Sequence, residues 1–201
     1  GALRVTSRGV FRLGYMFADL GHRVMRDGNL AGLLQPILDQ LARATGEACM
    51  ATEFDRDMAV CIAKALPDRP LYVDIRIGSK LDAFCTAHGK LWLAHMSPAD
   101  QDRYFAKADL TRMTDHTLTD LTALKSELAQ IRKAGFATNN GEREHDIYAI
   151  AVPITTLHGT MVSAFSVFGA SPALLDQKRD TLLNALTQAT ENAQRALHGK
   201  D

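Results

Sequence analysis

The stretch CTAHGKLWLA, residues 85–94, places a thiol, a hydroxyl, an imidazole and a Gly-Lys pair close together, followed by an apolar run with the only tryptophan of the chain. The segment before it, residues 71–77, alternates branched or aromatic residues with polar ones and stops at Gly78, which predicts a β-strand. The apolar run around Trp92 predicts a short buried helix. The stretch therefore joins a strand to a helix, and the free N–H groups of the first helical turn, around residues 86–90, can bind a carboxylate or carbonyl oxygen.

The elements predicted on either side of this junction come in groups of one kind. Two strands precede it as a hairpin about the turn at residues 55–57, and three strands follow in the last third of the chain. Consecutive strands joined by short turns indicate an α+β domain with an antiparallel sheet of about six strands and helices packed on it. The predicted strands are 47–54, 58–65, 71–77, 136–139, 148–154 and 161–168, and the predicted helices are 13–25, 29–45, 91–96, 98–107, 121–134 and 171–197.

The composition is that of an ordinary soluble globular protein. The chain has 201 residues, 46% of them hydrophobic, and its 23 basic and 23 acidic side chains balance. This length suits one fairly large domain. A protein that binds nucleic acid on its own usually carries a basic excess, so we expect this chain not to contact DNA itself. No apolar run approaches the roughly 18 residues that cross a bilayer, so no membrane partner is expected.

Three cysteines, at positions 49, 61 and 85, are widely spaced and form no CxxC pair. This pattern indicates reduced intracellular thiols rather than a disulfide framework, and hence a cytoplasmic protein. Cys85 and His88 fit a catalytic nucleophile with its base, but nothing in the sequence supplies an orienting carboxylate or an oxyanion hole. The same pair fits half of a zinc site, but no other ligand lies at a recognised spacing. We expect no catalytic residue, no metal and no cofactor.

The last two predicted strands indicate a ligand pocket beside the helix start. They would offer Ala149, Ser166 and Phe168 to the same cavity. Asn139 and Glu142, next to the preceding short strand, are close enough to be further candidates. A pocket with a few polar groups on an apolar wall suits a small polar metabolite.

Five stretches of the chain, in their order and spacing, resemble the IclR family of bacterial transcriptional regulators. Each stretch alone is a weak signal, but the TA-x-GK-x-x-LA element followed by the AVPI strand is fairly specific in combination. The resemblance covers nearly the whole chain. The stretches are FRLGYMFADLG (11–21), TAHGKLWLA (86–94), GFATNNGE (135–142), IAVPI (150–154) and SAFSVFGASP (163–172).

The resemblance implies a domain organisation. Members of the family have an N-terminal winged helix-turn-helix domain, a linker helix and a C-terminal GAF-like effector-binding domain. Residues 1–28 would be the end of the wing strand and the linker helix, and residues 29–201 would be the GAF-like domain. The chain would then begin just after the DNA-reading part, in keeping with its balanced charge.

The resemblance also implies which residues line the effector pocket. Members often have a small residue at the position of His88, and some have an acidic residue at that of Asn139. The strand that often ends Ser-x-Ser reads Ser-Val-Phe here, at residues 166–168. These departures imply a larger and less acidic pocket. The implied pocket residues are Leu71, Ala87, His88, Asn139, Ala149, Ser166 and Phe168.

The function that the resemblance implies is a ligand-sensing and oligomerising domain without catalysis. The effector would be a small organic acid or carbonyl compound against the N–H groups of residues 87–90. Protonation of His88 on binding an acid would raise the affinity below about pH 6.5. The other expected partners are copies of the chain, in a homodimer or homotetramer, and DNA through the N-terminal domain only. Two alternatives are a small enzyme that uses Cys85 and His88, and a GAF-like scaffold with a filled core and no ligand.

Overall fold

An antiparallel sheet of six strands is the centre of the fold. The computed structural model describes residues 3–5, 11–13, 16 and 30–198. The strands of these residues are β1 (Leu3–Val5), β2 (Phe11–Leu13), β3 (Ala48–Asp55), β4 (Met58–Ala65), β5 (Lys80–Asp82), β6 (Ala137–Asn140), β7 (Tyr148–Thr155) and β8 (Met161–Gly169). The large sheet has the order β5-β4-β3-β8-β7-β6, and all neighbouring strands are antiparallel. The predicted α+β class, with an antiparallel sheet of about six strands, is confirmed.

The two short strands near the N-terminus form a separate ribbon. β1 and β2 pair antiparallel, with Arg4 opposite Arg12 in the register. The helix predicted over residues 13–25 lies almost entirely outside the described residues. The division of the chain into residues 1–28 and 29–201 therefore stays a prediction.

Helices cover both faces of the large sheet. They are α1 (Leu30–Thr45), α2 (Ala87–His95), α3 (Pro98–Phe105), α4 (Leu121–Ala134) and α5 (Arg179–Leu197). The long helix predicted from residue 171 begins instead as a 3₁₀ turn, Pro172–Leu174, and α5 starts only at Arg179. None of the helices in the described part of the chain is long and apolar enough to cross a membrane.

The alternation of side chains along the strands builds two apolar cores, one on each face of the sheet. On β7, Ala149 and Ala151 face the core that contains α2 and α4. Ile150 and Val152 face the core that contains α1 and α5. The face toward α2 carries small alanines on this strand, while the opposite face carries larger branched residues. Small side chains under α2 leave room for a cavity there.

The segment between β4 and β5, residues 66–79, crosses over the α2 face of the sheet without forming a strand, and we call it the covering loop. The strand predicted over residues 71–77 is wrong. The alternation of this segment reflects burial on one side of a loop, where Val73 and Ile75 pack on the core. Sheet hydrogen bonds are missing along this stretch of the described chain. Its backbone is joined to β4 at its end, where the Gly78 N–H donates to the Cys61 carbonyl at 2.7 Å and the Cys61 N–H donates to the Ser79 carbonyl at 3.0 Å. Between these points and the start of the loop, Asp74 forms an ion pair with Lys64 of β4.

A buried carboxylate fixes the other end of the covering loop. Glu47 lies just before β3 and is almost fully buried. Its two oxygens accept from Arg69, at 2.7 Å, and from Lys178, at 2.8 Å. Arg69 belongs to the covering loop and Lys178 precedes α5. One carboxylate therefore connects the loop to the helix on the opposite face of the sheet.

Candidate functional site

A cavity of about 520 Å³ lies between the start of α2, the sheet and the covering loop. We call it the effector cavity. Its lining includes five of the predicted pocket residues: Ala87, His88, Asn139, Ala149 and Phe168. The covering loop contributes the outer wall through residues 73–76 and Ser79. The cavity is therefore formed from segments far apart in the chain that the fold brings together.

Two predicted pocket residues lie elsewhere. Leu71 is 86% exposed and does not line the cavity, because the covering loop turns its side chain outward while Val73 and Ile75 face in. Ser166 is fully buried behind His88 and does not line the cavity either. Its hydroxyl is bonded to the His88 ring at 2.7 Å. Its place is in the layer that supports the cavity wall.

The start of α2 lines the effector cavity with Thr86, Ala87 and His88. The Thr86 side chain caps the helix by accepting from the Gly89 N–H at 3.1 Å, and its hydroxyl donates to the Asp82 carbonyl. The N–H groups of Ala87 and His88 make no hydrogen bond to any described residue, as is usual for the first turn of a helix. Both are available to an acceptor atom of a ligand.

Gly89 lets the helix start lie directly on the chain before it. A Cβ atom at this position would lie 2.2 Å from the Cα of Ala83 and 2.5 Å from its carbonyl oxygen. Because those atoms are backbone, they could not give way by a change of rotamer. The glycine of the Gly-Lys pair is therefore a packing requirement.

His88 is a neutral structural residue in the wall of the cavity. It is 1% exposed, and its Nδ1 and Nε2 lie 2.8 Å from the Thr52 hydroxyl and 2.7 Å from the Ser166 hydroxyl. Burial lowers the pKa of His88 to about 3. This lowered pKa argues against the expectation that His88 becomes protonated on binding an acid and so raises the affinity below about pH 6.5, because a charged imidazole would have to be desolvated here.

A hydrogen-bond chain continues from His88 through the protein. The indole N–H of Trp92 donates to the Thr52 hydroxyl at 3.2 Å. An indole N–H can only donate, so the Thr52 oxygen must accept on that side. Trp92, Thr52, His88 and Ser166 thus form one connected polar row inside the apolar core.

Lys90, the second member of the Gly-Lys pair, is buried and paired with two carboxylates. It is 1% exposed, and its ammonium group lies 2.5 Å from both Glu127 and Glu142. Burial nevertheless raises the pKa of Glu142, and one of its oxygens has no partner within the described residues. Glu142, a pocket candidate from the sequence, does not line the effector cavity. The buried, structural role of Lys90 was not predicted, because the sequence signals it only through the Gly-Lys pair.

Asn139 braces the loop between β6 and β7. Its side-chain oxygen accepts from the Glu142 N–H at 2.9 Å, and its amide donates to the Ile147 carbonyl at 3.2 Å. The second hydrogen of this amide has no partner among the described residues. Asn139 can therefore hold the loop and still donate to a ligand in the cavity.

The rim of the effector cavity has an excess of unpaired positive charge. Arg143 is bound to Asp82, at 2.8 Å, and this hydrogen bond raises the pKa of Arg143. Asp74 is paired with Lys64. By contrast, Arg76 and Lys80 are exposed and have no carboxylate partner in the described part of the chain. These two cations were not predicted as part of the site, although both lie around the glycine turn at residue 78.

Cys85 has the properties of a buried core thiol. Burial raises its pKa to about 12, which keeps the sulfur protonated and a poor nucleophile. It does not line the effector cavity. All three cysteines are free and buried. Within the described residues, no three His, Cys, Asp or Glu side chains are grouped so as to hold a metal ion.

The chain is similar to known proteins of one family. A family model described as "Bacterial transcriptional regulator IclR C-terminal" matches residues 22–195. The chain belongs to the IclR family. The Pca regulon regulatory protein of Pseudomonas putida is 31% identical over 179 residues, which is 83% of this chain and 62% of that protein. The DNA-binding transcriptional repressor YiaJ of Escherichia coli (strain K12) is 29% identical over 186 residues, which is 91% of this chain and 66% of that protein. The chain thus spans less than two thirds of the length of these curated relatives.

Solved structures share the fold of this IclR domain. The IclR protein of Thermotoga maritima superposes with a TM-score of 0.83 at 28% identity, over 98% of this chain and 80% of that one. An IclR homolog from Microbacterium hydrocarbonoxydans, complexed with 4-hydroxybenzoate, has a TM-score of 0.85 at 22% identity, over 99% and 80% of the two chains. The predicted GAF-like fold is confirmed by these likenesses.

Membership of the IclR family decides between the classes of function considered from the sequence. The curated relatives are transcriptional regulators. The chain contains the C-terminal domain of the IclR family, whose curated relatives are regulators and not enzymes. The hypothesis of a nucleophile and base at Cys85 and His88 is set aside.

Proposed function

We propose that the effector cavity of this IclR domain binds a small organic acid. The observation that carries the proposal is the pair of cations without carboxylate partners, Arg76 and Lys80, at the rim of a cavity with free backbone N–H groups. A ligand carboxylate would supply negative charge that these two cations lack. A neutral carbonyl compound would use the N–H groups but leave the cations unpaired, so the acid is the better match.

The ligand would lie with its carboxylate toward the N–H groups of Ala87 and His88. A helix start favours negative charge, and these two amides have no other partner in the described chain. The apolar part of the ligand would contact Met50, Ile75 and Phe168, which line the same cavity. The free N–H of the Asn139 side chain would donate to a second polar group of the ligand, such as a hydroxyl oxygen.

Two of the structural neighbours are named with ligands of this class. One is the IclR homolog complexed with 4-hydroxybenzoate. Another is the double mutant of the PobR inducer-binding domain from Acinetobacter, complexed with 3-hydroxybenzoic acid. Both ligands are small acids with an apolar ring. They support the same ligand class for this chain, and a cavity of about 520 Å³ has the size of a small-molecule site.

The main alternative is a scaffold domain without ligand. Such a domain would fill the space between the sheet and α2 with side chains. Small residues, including Ala87 and Ala149, line this space instead, and the covering loop closes it from outside. The open cavity favours a sensor over a scaffold.

Binding would regulate transcription through the assembly of the whole protein. We infer that the chain forms a homodimer or homotetramer and that an N-terminal winged helix-turn-helix domain of the complete regulator binds the operator. Occupancy of the effector cavity would change the arrangement of the subunits and hence the spacing of these domains, which is an allosteric coupling between two sites.

Calorimetric titration with benzoate tests the proposed ligand class. We expect benzoate to bind and benzamide, the uncharged analogue, to bind more weakly by roughly tenfold, since a charge-assisted contact contributes about 1.5 kcal/mol. The variant Arg76→Gln/Lys80→Gln should lose about the same factor for benzoate only. Lys133→Gln, which removes an exposed cation on α4, is the matched control and should change nothing. Equal binding of benzoate to all variants would contradict the proposal.

A further inference from the structure

A second cavity, of about 590 Å³, lies at the other end of α2. We call it the distal cavity. It is bounded by the C-terminal part of α2, by α3 and by the turns β3–β4 and β7–β8, and none of its lining residues also lines the effector cavity. Nothing in the proposed function uses it.

One wall of the distal cavity is aromatic. The rings of Phe54 and Trp92 have their centroids 5.7 Å apart at an interplanar angle of 32°. Met96 and Met161 extend this wall. The Trp92 ring is held in place because its indole N–H is bound to the buried Thr52 hydroxyl. A rigid aromatic and thioether surface of this kind suits a planar ring that stacks on it.

The polar groups of the distal cavity include hydrogen-bond acceptors, and the charged side chains among them have no net charge. The Nδ1 of His95 lies 2.8 Å from the Leu91 carbonyl, which can only accept, so the neutral ring keeps Nε2 as an acceptor. Asp57 and Lys107 form no ion pair, either with each other or with any other charged group of the described residues. Their opposite charges cancel in the net charge of the cavity. The other two charges, Arg103 and Asp100, form an ion pair.

These features distinguish the distal cavity from a metal site and from an anion site. Histidine and aspartate side chains line it, but the described residues contain no metal-binding group of three or more. Its charges cancel, unlike the two unpaired cations at the effector cavity. We propose that the distal cavity binds a neutral planar aromatic compound that carries a hydrogen-bond donor, such as a phenol. The ring would stack on Trp92 and Phe54, and the hydroxyl would donate to Asp57 or His95.

The single tryptophan makes the distal cavity directly observable. The chain has one tryptophan, so its ¹⁵N–¹H spectrum contains one indole signal, from Trp92. We expect phenol, titrated into the chain, to shift this signal in a saturable way. Anisole, in which a methyl group replaces the hydroxyl hydrogen, should bind roughly tenfold more weakly, because it leaves the carboxylate without its donor.

Variants separate the distal cavity from the effector cavity. Asp57→Asn should weaken phenol binding by about fivefold, since a neutral acceptor replaces a charged one. Asn tolerates the positive φ of 70° at this turn, so the fold is retained. Phe54→Ala should weaken phenol binding by roughly tenfold through loss of the ring contact. Ile75→Ala, in the effector cavity, is the matched control and should leave phenol binding unchanged.

Three results would overturn the proposal. They are no shift of the Trp92 signal up to the solubility limit of phenol, equal affinities for phenol and anisole, and a loss on Ile75→Ala as large as on Phe54→Ala. The last would place phenol in the effector cavity. Because benzoate and the Arg76 and Lys80 variants test the effector site, either proposal can fail without the other.

Discussion

The imidazole of His88 lies between two hydroxyl groups in the wall of the effector cavity, and each of its nitrogens has a partner. A neutral ring satisfies both contacts, since one nitrogen donates and the other accepts. A charged ring would add a second donor in a dry environment, where charge is strongly disfavoured. His88 therefore makes the free energy of unfolding depend on pH, and it does not make ligand binding depend on pH.

We predict that His88 makes the domain less stable in mild acid. Its pKa is lowered to about 3 in the folded chain and is near 6.5 when unfolded, so the unfolded state binds the extra proton between these values. Stability should therefore fall as the pH drops below about 6.5, by about 1 kcal/mol per pH unit from this residue. The measurement is urea unfolding at a series of pH values between 7 and 5 for wild type and His88→Gln, with the slope flatter in the variant. Parallel slopes would contradict the neutral, buried state of His88.

A second prediction at this scale is that benzoate affinity does not rise through protonation of His88. Over the range around pH 6.5 the ring stays neutral, because its pKa is about 3. Calorimetric titrations in buffers of different ionisation enthalpy should show no proton uptake assignable to His88, judged against His88→Gln. A rise in affinity near pH 6.5 that disappears in this variant would restore the expectation drawn from the sequence.

At the scale of elements, Lys90 joins three parts of the structure. Its ammonium group lies on α2, Glu127 on α4 and Glu142 in the loop after β6. The hydroxyls of Thr114 and Thr117 fix the same loop by donating to carbonyls of residues 141 and 142. The wall of the effector cavity that contains Asn139 depends on this loop. The buried ion pairs therefore position the site without contacting the cavity.

We predict a strong loss of stability for Lys90→Met, which leaves two carboxylates facing each other with one of them buried. The loss should be about 3 kcal/mol, typical of an uncompensated buried charge. Lys90→Met/Glu142→Gln should be more stable than Lys90→Met, since it removes that charge. The control, Lys125→Met, breaks the exposed pair with Asp102 and should change the free energy of unfolding by less than about 1 kcal/mol. Denaturant unfolding of wild type and the three variants measures this, and a double variant no more stable than Lys90→Met would contradict it.

Two glycine-to-alanine changes should have opposite effects on the stability of the domain. Gly89→Ala places a Cβ 2.2 Å from the Ala83 backbone, so we predict a loss of more than about 2 kcal/mol and a disturbed effector cavity. Gly32→Ala, on the exposed side of α1, should stabilise the domain by about 0.5–1 kcal/mol through helix propensity. Thermal unfolding distinguishes them, and a neutral Gly89→Ala would show that α2 can move away from residue 83.

Much of the fold could be predicted from sequence because its signals are local. Turn residues and strand alternation predicted the β3–β4 and β7–β8 hairpins, whose partners follow each other in the chain. The covering loop could not be predicted in this way. Alternation in residues 71–77 reports one buried side, but a strand also needs a neighbour with free hydrogen-bonding groups, and that depends on the assembled sheet.

The candidate site was predictable only in part, for a similar reason. Ala149 and Phe168 were predicted to line the cavity from their positions on facing strands, and Ala87 from the family resemblance; all three line it. The roles of His88 and Ser166 depend on contacts between residues 52, 88 and 166, and no local pattern reports them. Leu71 was misplaced together with the strand that was wrongly predicted around it.

At the scale of the whole molecule, the exposed apolar residues favour self-association, and the balanced charge disfavours binding to DNA. We predict that the chain forms a dimer or tetramer in solution. Leu71, Tyr72 and Ile77 of the covering loop and Leu157 of the β7–β8 turn are exposed large apolar side chains, which are suited to burial against another copy. Sedimentation equilibrium should give a multiple of the chain mass that added salt does not reduce, because apolar burial is not screened. A monomer at high micromolar concentration would contradict this.

The chain by itself should not bind duplex DNA specifically. It has as many acidic as basic side chains, so it lacks the net positive charge that phosphate binding requires. Gel-shift assays at physiological salt should show no sequence-dependent complex. The same assay with a chain that carries a winged helix-turn-helix domain serves as the control. A specific complex of the present chain alone would contradict the proposal that a separate winged helix-turn-helix domain binds the operator.

The fastening of the covering loop has a kinetic consequence. One end is bound to the edge of β4 and the other to Glu47, while the middle forms the outer wall of the effector cavity. A ligand that enters past this wall must wait for the loop to open locally, so its association is slower than free diffusion allows. Arg69→Gln removes one fastening, and stopped-flow mixing with benzoate should then show faster entry and a shorter residence time, with entry and exit accelerated together.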